Sequence, residues 1–142
     1  RTCLEGSRPL GIAFDLEGHM WITDPHNHSV RHITPDAQVT TLAGAGFIGT
    51  ADGTGSGAQF HFPSMLVVSG PDLIVAEELG HRIRRVARSG RTTVYAGSGV
   101  PGWKDGRAAV SQFFAPFSIA KDKEGFMFVA DTYNQCVRVI VP

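Results

Sequence analysis

Residues 42–63 read LAGAGFIGTADGTGSGAQFHFP, and residues 95–116 read YAGSGVPGWKDGRAAVSQFFAP. Each stretch holds a Gly-x-Gly (Gly44 and Gly46; Gly97 and Gly99), then an Asp-Gly pair (Asp52-Gly53; Asp105-Gly106), then Gln-Phe (Gln59-Phe60; Gln112-Phe113), and closes on a proline. In both copies the Asp stands 8 residues after the first glycine and 11 before the proline. Two long connectors with one internal ruler are a repeat, not a coincidence of glycine-rich composition.

Working outward, Pro9, Pro63 and Pro116 recur at intervals of 54 and 53 residues, and each opens a set of three hydrophobic runs. The first runs are GIAFD (11–15), MLVVS (65–69) and SIAKD (118–122); the second are HMWITD (19–24), LIVAE (73–77) and FMFVAD (126–131). The third are NHSVRHI (27–33), GHRIRRV (80–86) and NQCVRVI (134–140). Short runs rich in Val, Ile and aromatics, parted by turn residues, predict strands of small antiparallel sheets. VTTLAG (39–44) and TVYAG (93–97) add a fourth, outer strand to the first two sets, and RTCLEG (1–6) resembles them. The period is that of propeller blades, so the expected fold is all-β: about three four-stranded blades forming part of a ring. Blades are expected at about 9–46, 63–99 and 116–142 of a single domain over 1–142, with 1–6 as an outer strand that closes the last blade. Three blades are fewer than a closed ring needs, which implies a partner half in cis or in trans.

With 142 residues, 42% hydrophobic, 18% charged and 17 glycines, the composition is that of a turn-rich globular domain. A formal net charge of zero gives no bulk reason to expect nucleic acid or an anionic membrane as partner. No run reaches the roughly 18 apolar residues of a transmembrane helix. The chain starts at Arg1 rather than Met, which suggests a processed product or a piece of a longer polypeptide. Two cysteines, Cys3 and Cys136, make no framework and leave the compartment open. A hairpin centred near Asp36 would pair position 29 with 43 and 31 with 41, leaving these cysteines diagonal and expected free.

The pattern Pro-x-Gly-Ile-Ala-x-Asp, a Gly turn, a run ending in Ala-Asp and then Asn-His-x-Ile-Arg resembles the NHL-repeat β-propellers. Pro9, Gly11, Ile12, Ala13, Asp15, Gly18, Asp24, Asn27, His28, Val30 and Arg31 carry the likeness in the first copy. Pro116 to Ile140 follows closely, with Ser118 for Gly and Gln135 for His, and the middle copy is the most worn, with Glu77 and Gly80. The resemblance implies the propeller fold. It leaves function open, because one fold hosts many activities.

Most of the recurrent polar residues read as structure. Asp15 to Gly18 and Asp122 to Gly125 are expected to be hairpin turns. Asp24 and Asp131 are expected to cap the following turn, and Arg31, Arg84 and Arg138, one per blade, to bond between blades. His28 and His81 are equivalent in the repeat and are expected to pack at a strand start. The six histidines include no His-Glu-x-x-His and stand beside no recognisable nucleophile, so no catalytic, cofactor or metal residues are assigned.

Exposed apolar residues in glycine-rich loops are typical protein anchors, which makes Phe47, Ile48, Val100, Pro101 and Trp103 the candidate protein-binding residues. Phe60 and Phe113 are expected to plug the gaps between blades, and Trp103 is open to the same reading. The leading expectation is a non-catalytic scaffold for protein, as a homodimer completing a six-bladed ring or as a subunit of a larger complex. One alternative is RNA binding through Arg82, Arg84, Arg85, Arg88 and Arg91, which crowd into one hairpin without interleaved aromatics. The other, implied by the resemblance to a zinc-binding lyase of the same family, is a metal-dependent enzyme.

Overall fold

The computed structural model describes residues 6–142, and the hydrophobic runs pair there as antiparallel strands. The first sheet takes β1 (Ile12–Phe14), β2 (Met20–Asp24), β3 (Ser29–Ile33) and β4 (Val39–Ala43) in chain order. The first connector contributes a two-residue β5 (Gly53–Thr54). The second sheet then follows with β6 (Pro63–Ser69), β7 (Asp72–Glu77), β8 (Arg82–Ala87) and β9 (Arg91–Ala96). The third holds β10 (Pro116–Lys121), β11 (Met127–Asp131) and β12 (Cys136–Ile140).

The sheets stack face to face. β6 packs against β1 and β2, and β10 against β6 and β7, so the first strands of successive sheets lie side by side as in adjoining propeller blades. Trp21, Val30 and Ala43 of the first blade meet Leu66, Leu73, Val75 and Val86 of the second in one core. Ile74, Ala76 and Ile83 on the other face of the second blade meet Ile119, Met127 and Val129 of the third. The middle blade is therefore covered on both faces, which is why its second run, LIVAE, is apolar without alternation. Phe60 and Phe113, at the ends of the connectors, are buried in these two cores.

The turns follow the sequence closely. Asp15 Oδ1 accepts the His19 backbone N–H at 2.8 Å while Gly18 takes φ +84°, and Asp122 Oδ1 accepts Phe126 N–H at 2.8 Å while Gly125 takes φ +97°. His28, His81 and Gln135 share a left-handed φ of 48°, 54° and 56°, a region that His tolerates better than most residues.

Four details differ from the expectation. The middle sheet has five strands, because Gly53 and Thr54 pair with Thr92 and Arg91 and cover the outer edge of the blade. A β-bulge between Val30 and Arg31 shifts the first hairpin, so Arg31 does face Thr41 but Ala43 faces Val30 rather than position 29. The acids ending β2 and β11 make no side-chain cap to the 3₁₀ turns that follow, Pro25–Asn27 and Thr132–Asn134. Finally, the closing strand expected at 1–6 lies, but for Gly6, outside the described residues, as does Cys3; Cys136 is a free thiol. Among the described residues no helix is long and apolar enough to cross a membrane.

Candidate functional site

Each blade carries the same polar knot where its second strand hands over to its third. In the first, the fully buried Asp24 carboxylate accepts Ser7 Oγ at 2.7 Å, Arg8 N–H at 3.3 Å, Asn27 Nδ2 at 2.9 Å and Arg31 Nη2 at 3.0 Å. In the third, Asp131 accepts Phe114 N–H at 2.7 Å, Asn134 Nδ2 at 2.8 Å and Arg138 Nη1 at 3.1 Å. In the second, Glu77 accepts His61 N–H at 2.6 Å and pairs with Arg84 Nη1 at 3.3 Å and Arg82 Nε at 3.1 Å. The acid thus ties the third-strand arginine to the backbone that enters its own blade.

The arginine in turn grips the preceding connector. Arg84 donates to Ala51 O at 3.2 Å, Gln59 O at 2.9 Å and Asp52 Oδ1 at 2.8 Å, with its guanidinium 5.3 Å from the centre of the Phe60 ring. Arg138 repeats this on Lys104 O, Gln112 O and Asp105, over Phe113. The Asp-Gly and Gln-Phe of the repeat are therefore the two ends of an arginine clamp. The sequence shows both the recurring Asp and the recurring Arg; what it hides is that each Asp serves the Arg of the next period.

The histidines add a second link between blades. His28 Nδ1 accepts Phe62 N–H at 3.4 Å, and His81 Nδ1 accepts Ala115 N–H at 3.1 Å. Burial, with His61 nearby, lowers the pKa of both rings and favours the neutral form that such an acceptor needs.

The five hairpin arginines do not share one surface. Arg84 is wholly buried and Arg82 nearly so, both bound to Glu77. Arg85 pairs with Asp72 at 3.3 Å and lies over Tyr95. Arg88 reaches back to the first blade, where it pairs with Asp15 and stacks 4.3 Å over Trp21. Arg91, at the start of β9, is exposed.

Arg88 completes a cluster that sequence reasoning did not find. Trp21 Nε1 donates to Asp15 Oδ2 at 3.1 Å, Trp21 stacks on His32 at 4.1 Å, and His32 Nε2 meets His19 Nδ1 at 2.7 Å. Burial works against an ionised Asp15, but hydrogen bonds from Arg88, His19 N–H and Trp21 outweigh it and hold its pKa at about 2. Asp15 reads in sequence only as a turn residue, because its partner lies 73 positions away. Among the described residues no three His, Cys, Asp or Glu side chains are grouped so as to hold a metal ion.

The apolar connector residues stand out in solvent. Phe47, Ile48, Val100 and Pro101 are exposed, and Trp103 is 76% exposed, so it does not plug a gap as Phe60 and Phe113 do. Phe47 and Ile48 match Val100 and Pro101 in the two connectors, while Trp103 stands where the first connector has Thr50.

No protein-family profile matches the chain. It is 26% identical over 147 residues to the protein SUPPRESSOR OF QUENCHING 1, chloroplastic, of Arabidopsis thaliana, covering 94% of this chain and 14% of that protein. Among solved structures it resembles auxiliary nutrient binding proteins of Bacteroides thetaiotaomicron (TM-score 0.85, 24% identity) and Bacteroides ovatus (TM-score 0.83, 26% identity). Each of these alignments covers 96% of this chain, and 37% and 38% of the other. Virginiamycin B lyase of Staphylococcus aureus also aligns, with TM-score 0.61 and 16% identity, over 96% of this chain and 42% of that one. The chain thus spans well under half the length of each. All-β architecture, three stacked antiparallel sheets and these likenesses identify a partial β-propeller.

Proposed function

We propose that the chain is a non-catalytic protein-interaction scaffold, a single run of three NHL-type blades over residues 1–142 that works as part of a larger ring. The observation that carries this reading is the pair of open faces at its ends. Ile12 of the first blade is 58% exposed, whereas its equivalents Leu66 and Ile119, which face a preceding blade, are each 5% exposed. At the other end Val137 is 67% exposed, whereas its equivalents Val30 and Ile83, which face a following blade, are fully buried. Apolar side chains left open on a sheet face mark a docking surface, and the shape already packed against their equivalents is another blade. The partner blades come from a second copy that completes a six-bladed ring, or from a larger complex or polypeptide. Phe47, Ile48, Val100, Pro101 and Trp103 then present contacts for a client protein on the connectors. Likeness to an auxiliary nutrient binding protein is compatible with a binding role.

Light scattering on a size-exclusion column tests the docking faces. A species of twice 15.2 kDa that Phe14→Glu splits, without change in the β-sheet circular dichroism, supports the ring of two copies. A monomer that binds a hydrophobic dye until more of the ring is supplied supports completion by other blades. A stable monomer that binds no dye overturns the reading.

A further inference from the structure

Among the described residues, the clamp that holds a connector in the second and third blades is present but unfilled in the first. Arg84 and Arg138 each bind two acids, one from their own blade and the aspartate of an Asp-Gly connector. Among the described residues Arg31 binds one acid, Asp24, and its Nη1 turns instead to the Thr41 hydroxyl of the adjoining strand. Beside it lies a polar groove of about 530 Å³ lined by Asn27, Ser29, Arg31, Thr41, Gly44 and Ser56. Ser29 is 2% exposed and lies on the same sheet face as Arg31, yet among the described residues its hydroxyl has no hydrogen-bond partner. A buried hydroxyl without a partner is costly unless something completes it.

We infer that this groove on the first blade binds an extended acidic peptide of Asp-Gly type supplied from outside residues 6–142, its carboxylate on Arg31 and its backbone on Ser29 and Asn27. The chain supplies two worked precedents for the chemistry. In both, an aspartate and two carbonyl oxygens of a connector saturate one guanidinium over an aromatic ring. Its own two connectors are already spent on Arg84 and Arg138, so neither is free to fill the groove. Arg31 is partly open, with 23% of its side chain exposed, and its fork geometry suits a carboxylate. The inference rests on the scaffold reading and names the chemistry of one partner.

The test is fluorescence polarisation with a labelled peptide that copies residues 50–60, TADGTGSGAQF, against the whole chain. Saturable binding is expected, at least about tenfold weaker when the peptide's Asp is changed to Asn, because a charge-assisted contact is lost. Arg31→Gln in the protein should weaken binding to the same degree. Since that change also removes a partner of buried Asp24, Thr41→Glu serves as a second variant: it keeps the Asp24 pair, places a carboxylate beside Arg31 and should block the peptide. Binding that is indifferent to the peptide's Asp or to Thr41→Glu overturns the inference, as does no saturable binding at about 1 mM. Light scattering on the apolar faces is unaffected by either outcome, so the two readings fail separately.

Discussion

Glu77 occupies the space that a side chain at position 80 would need: a Cβ built on Gly80 falls 2.4 Å from the Glu77 carboxyl carbon. The other two blades have Asp with Asn at these places, Asp24 with Asn27 and Asp131 with Asn134, joined by hydrogen bonds of 2.9 and 2.8 Å. The middle copy therefore departs from the repeat by an exchange of volume, one methylene longer at the acid and one side chain shorter at the turn. Gly80→Asn alone should be destabilising by about 2–4 kcal/mol, through overpacking against a buried carboxylate. Glu77→Asp with Gly80→Asn should recover most of that loss. Urea unfolding of the two single variants and the double closes the cycle, and strictly additive effects would show that the positions are independent.

Arg84 and Asp52 contribute unequally to their ion pair. Arg84 is buried and serves Glu77 as well, while half of the Asp52 side chain is exposed. Arg84→Ala should cost about 3–5 kcal/mol, because it leaves the Glu77 carboxylate buried with Arg82 as its one cationic partner. Asp52→Ala should cost about 1 kcal/mol or less. Thermal melts would show the difference directly, and equal losses would mean that the connector rather than the buried acid dominates the clamp.

Two separate pH windows are expected in stability. His28 and His81 have folded pKa values below the unfolded value of about 6.5, so the unfolded chain binds more protons. Their contribution is present above that pH and is lost as the pH falls through the folded values. Asp15, held at about 2 against about 3.9 unfolded, keeps its contribution until the pH drops between those values. Urea midpoints from pH 8 to pH 2 should fall in two stages. His81→Phe should flatten the first and Asp15→Asn the second.

The repeat made the scaffold legible, because propeller blades are local: every described strand but β5 pairs with a neighbour in sequence, and Val, Ile and aromatic runs announce the pairing. Only the very short β5 escaped, since Gly53 has low strand propensity, two residues are too few to show an alternation, and Arg84 holds the adjoining Asp52. The site was harder to read. Arg82, Arg84, Arg85 and Arg88 form a basic run in sequence, but a strand sends alternate residues to opposite faces, and charges near β8 found partners in three other segments of the chain. Asp15 with Arg88, and His28 with the Phe62 N–H, join residues far apart in sequence, and no spacing rule connects them.

Trp103 and Phe113 lie in one connector and should answer differently to truncation. Phe113 is buried between the second and third blades under the Arg138 guanidinium, so Phe113→Ala should cost about 3–5 kcal/mol through the cavity it opens. Trp103→Ala removes a side chain already in water and should leave stability within about 0.5 kcal/mol. A tryptophan of that exposure contributes little to its own fold, which makes it the connector residue best suited to testing the proposed protein contact. Cross-linking from a photoreactive group at position 103 should capture a client protein that the same group at exposed Glu17 does not. Equal capture at both positions, or a large stability loss in Trp103→Ala, would remove Trp103 from the interaction surface.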